Sequence, residues 1–296
     1  KGGTYIDSQK HYENVACKDC PIGYVTETKV EREHTYENGF CKACDAYEPA
    51  VLNSNNAYEI GNAGQLYWFA GLVNGTLSGV TQNKSANAVL TKDIVVNKNV
   101  LKSDGTVNDG TFKEWAPIGT GETSPNVYTG TFDGRNYTIS GLYFNQENSY
   151  DIGLFGRNNG KIANAGILDS YFYGTSKVGG MCGNNYTGTI SNCYNTGSVS
   201  GIGTAGGVSG YNYTGSITNC YNAGSVSGNG NVGGVTGINY TGSITDCYNI
   251  GSVSGSEGNV GGVNGYNDGG TITNSYNAGS VSGTERYVGG VSGYNY

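Results

Sequence analysis

From residue 178 onward, hydrophobic positions return at a fixed interval instead of following a helical or a simple alternating pattern. Val178, Ala205, Val232, Val260 and Val288 open successive copies at spacings of 27, 27, 28 and 28 residues, and a period in that range signals a stacked array. Within each copy Ile190, Ile217, Ile244 and Ile272 share one offset, Cys193, Cys220, Cys247 and Ser275 a second, and Val199, Val226, Val253 and Val281 a third. Clusters of Gly, Asn, Ser and Thr separate these seeds. Glycines so frequent leave no room for helices of about ten residues, whereas strands of about three to six residues fit between them. The pattern predicts an all-β fold, a right-handed parallel β-helix with three strand-bearing faces and about 27 residues per coil.

Upstream the periodicity changes. Leu66, Phe69, Ala70 and Val73 recur at helical spacing, with Asn62 placed as N-cap. The first coil of a solenoid exposes an apolar cross-section and unpaired strand edges, so a short amphipathic helix here is expected to plug that end. An aromatic ligand site at Tyr67 and Trp68 is the alternative. Strands are expected over 88–90, 94–96, 128–132, 137–139 and 142–144, and the Gly-, Asp- and Thr-rich stretch 102–125, which contains Trp115, reads as a packed insertion.

Residues 1–50 are charged and poor in glycine. Cys17 and Cys20 form one CxxC pair and Cys41 and Cys44 another, with twenty residues between the pairs. Four thiolates converging from two tight turns suit a tetrahedral zinc ion. Such a zinc would be structural, because a core this small is marginal and a four-thiolate site contributes about 10–16 kcal/mol of apparent folding energy. Two disulfides are the rival arrangement in an oxidising compartment. Pro21 and Asp45 follow the pairs where common zinc ribbons favour Gly, and His34 reads as a surface histidine in preference to a ligand.

The run Gly153, Leu154, Phe155, Gly156, with the later VGGVSG and VGGVTG variants, resembles the GLUG motif of secreted and surface-attached bacterial proteins, including regions of some immunoglobulin A peptidases. The run that begins Thr131, Phe132, Asp133, Gly134 and ends Ile139, Ser140, Gly141, Leu142 resembles the opening coils of pectin-lyase-like β-helices. The stretch from His34 to Cys41 is similar to a small Cys-rich module of surface proteins of gut-type Gram-positive bacteria. These resemblances imply a parallel β-helix in a bacterial protein that is secreted or attached to the cell surface. They imply three regions: a zinc-ribbon-like module over 1–50, a cap with opening coils over 51–150, and repeats over 151–296. No HExxH sequence occurs, so peptidase activity does not carry over.

A net charge of -7 and a pI near 4.8 exclude binding to nucleic acid or anionic membranes through clustered Lys and Arg. Glycine at 52 residues and only 13% charged residues would suggest a disordered linker if the periodicity were missing. Between residues 178 and 245 there is no Asp, Glu, Lys or Arg, which suits contact with a sugar or another neutral surface, or a plain spacer. No apolar run approaches the length of a membrane span. The sequence stops inside a fifth GGVSGYNY unit, so the natural chain is expected to continue past Tyr296.

Nucleophilic catalysis with a histidine base has little to work with, since His11 and His34 are the only histidines and both precede the repeats. Paired glycosidase carboxyls stand about 5–9.5 Å apart, but Asp246, Glu257, Asp268 and Glu285 occupy unmatched coil positions. Asp133, Asp151 and Asp169 read as turn residues, with a lyase or calcium site as the alternative. The Cys193, Cys220, Cys247 column reads as small apolar filling, because coils about 4.8 Å apart are too distant for disulfide geometry. Asn185, Asn212 and Asn239 begin NYT sequons but are expected to be left-handed turn residues. Tyrosine is the most suggestive type. Tyr186, Tyr213 and Tyr240 form one column and Tyr194, Tyr221, Tyr248 and Tyr276 another; an exposed column offers ligand contact, and a column between coils is packing. The sequence thus predicts a non-catalytic surface protein, an adhesin or rigid stalk with glycan or protein partners. Its alternatives are an accessory substrate-binding region of a larger secreted enzyme acting on glycans or glycoproteins, and a self-assembling filament component.

Overall fold

The computed structural model describes residues 3–5, 10–15, 28–120, 126–284 and 287–296. The chain forms a parallel β-solenoid. In its largest sheet eight strands run parallel, one per coil, from Ala57–Ile60 to Thr271–Thr273, and Val51–Leu52 adds an antiparallel strand at the outer edge. Eight coils at about 4.8 Å per step give a rod about 34 Å long. The predicted register is realised residue by residue. Val178 pairs with Ala205, then Val232, Val260 and Val288 follow in turn, and the isoleucine and valine columns align in the same way.

Each of the six coils from Thr131 onward carries five short strands where the hydrophobic pattern predicts three. One full turn runs through Cys182–Asn185, Thr189–Ser191, Tyr194–Asn195, Ser198–Gly201 and Thr204–Gly206. The two strands missing from the prediction, those at Cys182–Asn185 and Tyr194–Asn195, turn polar residues inward. Asn185 and Asn195 are fully buried, as are their equivalents Asn212 and Asn222, so these strands leave no mark in a hydrophobic profile.

A single apolar core runs from the capping helix through the coils to Val263. The helix α1 (Ala63–Asn74) begins as expected: the Asn62 side chain accepts from the Gln65 N–H at 2.9 Å, and Gly75 at φ 70° ends it in a left-handed cap. Leu66, Phe69, Ala70 and Val73 are buried, and Phe69 lies 6.2 Å from the Tyr128 ring and 6.5 Å from the Phe132 ring. The helix therefore closes the first coils with the face predicted for it. The insertion is packed around Trp115, while 102–114 lie nearer the surface and 121–125 fall outside the described residues. The Trp115 backbone N–H donates to Tyr143 O at 2.7 Å and its indole N–H to Gly153 O at 3.0 Å. Tyr128 lies outside the strand predicted over 128–132 and makes an isolated bridge to Asn158, with the strand itself at Thr131–Asp133. At the far end the last coil exposes positions that inner coils bury, with Val288 at 41% against 0% for Val232.

The head abuts the cap. Asn38 O accepts from the Gly64 N–H at 2.9 Å, and the Glu48 carboxylate accepts from the side chains of Asn62 and Gln65. Before it, Gly3–Tyr5, Lys10–Val15 and Thr28–Glu33 form a three-stranded antiparallel sheet.

Candidate metal centre and exterior tyrosine stacks

The hairpin Tyr36–Glu37 and Phe40–Cys41 turns at Asn38 and Gly39, whose φ values of 48° and 77° are left-handed. It carries Cys41 back alongside His34. The turn after it, through Ala43, sets Cys44 beside both. The His34 Nδ1 lies 3.3 Å from Cys41 Sγ and 3.5 Å from Cys44 Sγ, and the three ligand atoms all fall within 4.8 Å of one another. Nitrogen and sulfur atoms around a tetrahedral zinc-sized ion stand about 3.5–3.8 Å apart, so this donor set fits a metal ion. Both thiols are buried. Burial raises the Cys41 thiol, but the N–H groups of Ala43 and Cys44, with the His34 ring, bring it down to about 7, and the Ala43 N–H lies 3.4 Å from the sulfur. Burial and the neighbouring Cys41 push Cys44 up. One thiol is thus ready to ionise and bind.

His34 is therefore no ordinary surface residue, contrary to the sequence expectation. Cys17 and Cys20, expected to complete the set, lie outside the described residues. The sequence signal that reaches His34 is its position seven residues before Cys41, a hairpin's length.

In the solenoid, Tyr186, Tyr213 and Tyr240 form a stack on the outer surface, with ring centroids 4.7 and 5.0 Å apart and ring planes within 3°. Arg157 closes one end, its guanidinium 4.2 Å from the Tyr186 centroid. The second column, Tyr194, Tyr221, Tyr248 and Tyr276, stacks at 4.9, 4.9 and 5.2 Å. Both columns are at the surface and are also packed between coils, so the two sequence readings merge. Each inner ring spends its two faces on its neighbours and shows only an edge and a hydroxyl. Tyr240, at 37% exposure, ends the first stack because Asp268 follows in the next coil.

Directly behind the first stack, Asn158, Asn185, Asn212, Asn239, Asn267 and Asn295 form an amide ladder in which each Nδ2 donates to the next Oδ1 at 2.7–2.9 Å. The sequon asparagines are thus buried strand residues. The left-handed corners expected of them belong instead to Asn192, Asn219, Asp246 and Asn274, with φ of 49–54°. The cysteine column is buried as expected, with a further role. The Cys193 N–H donates to Cys220 Sγ and the Cys220 N–H to Cys247 Sγ, both at 3.4 Å, and Ser275 Oγ takes the same part for Cys247 at 3.2 Å. These three thiols are not in disulfides.

Among the described residues the candidate aspartates do not converge, and Glu285 lies outside the described residues. Asp133 accepts from the Arg135 N–H and Asn164, Asp169 accepts from the N–H groups of Val100 and Leu101, and Asp151 lies 3.8 Å from Lys177. Among the described residues, the His34, Cys41 and Cys44 group is the one cluster of three metal-binding side chains.

The fold and this group define a parallel β-solenoid of about eight turns with a Cys/His-bearing head. No family model matches the chain, and no curated protein matches it either. Among solved structures it is similar to a "putative immunoglobulin A1 protease from Bacteroides ovatus", with a TM-score of 0.62 and 24% identity over 81% of this chain and 72% of that chain. At that identity the likeness is one of fold. Among the described residues no helix is long and apolar enough to cross a membrane.

Proposed function

We propose that the chain is a non-catalytic part of a bacterial surface or secreted protein, a rigid display stalk with adhesive surfaces, whose head holds a structural zinc ion. One observation carries the reading: the repeats commit two buried columns of asparagines to one another from coil to coil, which yields a stiff rod. The two histidines precede the repeats, and His34 sits with the cysteines of the head. The resemblance to GLUG-motif proteins supports the surface location. Two thiolates and an imidazole favour zinc over harder cations.

A second reading, an accessory substrate-binding region of a larger secreted enzyme, draws on the name of the Bacteroides ovatus structure. Incubation of the protein with polysaccharides and glycoproteins separates the readings, since cleavage by this chain alone would end the non-catalytic proposal. For the metal, elemental analysis is expected to find one zinc per chain, and a chelator is expected to lower the thermal midpoint of the head. Zinc-free protein with oxidised thiols would replace the metal by disulfides.

A further inference from the structure

The inner rings of the tyrosine stacks are poor platforms for a flat ligand because both their faces are covered, whereas the terminal Tyr240 and Tyr276 each stack on one ring alone. The other conspicuous aromatic group, where the head meets the capping helix, is arranged differently. There a cleft of about 390 Å³ falls within the size range of small-ligand sites. Trp68 on α1 forms one wall. The indole is partly exposed and is braced from one side by Tyr58, 5.3 Å away at 57°. Tyr47 and Pro49 also line the cleft, and Tyr47 is held in place by Phe40 at 6.0 Å and Tyr67 at 5.5 Å.

The lining is largely apolar, with Ala46, Leu77 and Val80 beside the rings, and its polar residues are Asp45, Thr76 and Ser78. Their placement follows from the helix terminus: Gly75 in the left-handed conformation reverses the chain, and the Thr76 N–H bonds Gly71 O at 3.0 Å. Gly71 has no side chain, and a Cβ there would stand 2.8 Å from Leu77, so the turn lies close on the helix and holds Thr76 and Ser78 at the cleft mouth. Rigid aromatic walls, two hydroxyls and one carboxylate suit a ligand with an apolar face and a hydroxylated edge. The carboxylate counts against an anionic one.

We propose that this cleft binds one neutral pyranose residue of a glycan, its C–H face on the Trp68 indole and its hydroxyls on Asp45, Thr76 and Ser78. The assignment rests on the adhesive reading above and places its sugar contact at the helix cap, away from the tyrosine columns.

The chain has two tryptophans, and Trp115 is buried with its indole N–H bonded, so a change in tryptophan emission on titration reports on Trp68. The probes are methyl glycosides of galactose, mannose, N-acetylgalactosamine and N-acetylglucosamine, with sialic acid as an anionic comparison. At least one neutral sugar is expected to give a saturable change with a Kd of about 1 mM, and sialic acid none. Ligand-observed NMR is expected to show at least a tenfold loss of binding in Trp68→Ala and Asp45→Asn and wild-type binding in Tyr213→Ala. Trp68→Phe, which keeps a ring against Tyr58, guards against misfolding and is expected to retain part of the binding. A saturable response to a proline-rich peptide with none to any sugar would overturn the assignment. So would sugar binding that survives Trp68→Ala and fails in Tyr213→Ala, which would leave the adhesive reading standing. Absence of binding to every sugar would remove both the cleft assignment and glycan adhesion.

Discussion

Asn212 and Tyr213 are adjacent in sequence, repeat with the same period and form ladders over the same coils, yet the two ladders do different work. The Asn212 side chain is fully buried and both its polar atoms are bonded: Nδ2 donates to Asn239 Oδ1 at 2.8 Å and to Gly215 O at 3.1 Å, and Oδ1 accepts from Asn185 at 2.8 Å. Gly215 is required by this arrangement, because a Cβ there would stand 2.2 Å from Asn185 Nδ2. Tyr213 meets its neighbours through ring faces at the surface, and water reaches its edge. A buried amide that loses its partner bears a desolvation cost that an exposed ring never incurs. Along the Asn212 ladder repetition satisfies every amide, whereas the buried Asn264 side chain, outside that ladder, bonds through neither of its polar atoms; outside the rod repetition adds contact area.

That contrast can be broken experimentally. Asn212→Leu leaves a donor on Asn185 and an acceptor on Asn239 without partners inside the rod, and the expected loss is about 3 kcal/mol in urea unfolding. Cys220→Ala removes the sulfur that accepts from the Cys193 N–H and leaves a small void, for about 1.5 kcal/mol. Cys220→Ser is expected to cost less, since Ser275 already fills that role two coils further on. Tyr213→Ala gives up two stacking contacts at the surface, for about 1 kcal/mol. If Tyr213→Ala proved as costly as Asn212→Leu, the division between inner and outer ladders would fail.

The smallest effect concerns pH. Burial, then the neighbouring phenols Tyr194 and Tyr248, raise Tyr221 above the ordinary tyrosine range, and burial does the same for Tyr211. A group whose folded pKa is raised keeps its proton longer when folded. Above the unfolded value near 10 the unfolded chain therefore binds fewer protons, and stability falls as pH rises. The thermal midpoint of the solenoid is expected to decline beyond about pH 10, in step with phenolate absorbance. Tyr221→Phe is expected to soften that decline.

Much of the fold is legible in the residues because its cause is local and repeated. Apolar seeds at Ile190 and Val199, returning after each period, are enough to specify coils and register. The Asn62 cap and the face of α1 follow from one helical turn of sequence. The head is less legible. His34 and Cys41 meet because a hairpin folds between them, and nothing in the residue types distinguishes that histidine from a solvated one. The Trp68 cleft is legible only in part: the sequence offers Trp68 with Tyr67 as an aromatic site, but Tyr47 and Pro49 belong to a different segment, and only packing of the head on the cap adds them to the lining in place of Tyr67.

The sequence by itself determined the period, the strand register and the end at which the rod is capped, because these depend on side-chain type repeated at fixed spacing. The tertiary structure decided which of two neighbouring residues turns inward. It put Asn185, Asn212 and Asn239 in strands inside the wall and gave the left-handed corners to Asn192 and Asn219. The reason is that an amide's partner lies one coil away, 27 or 28 residues along the chain, and is present only once the coil has closed.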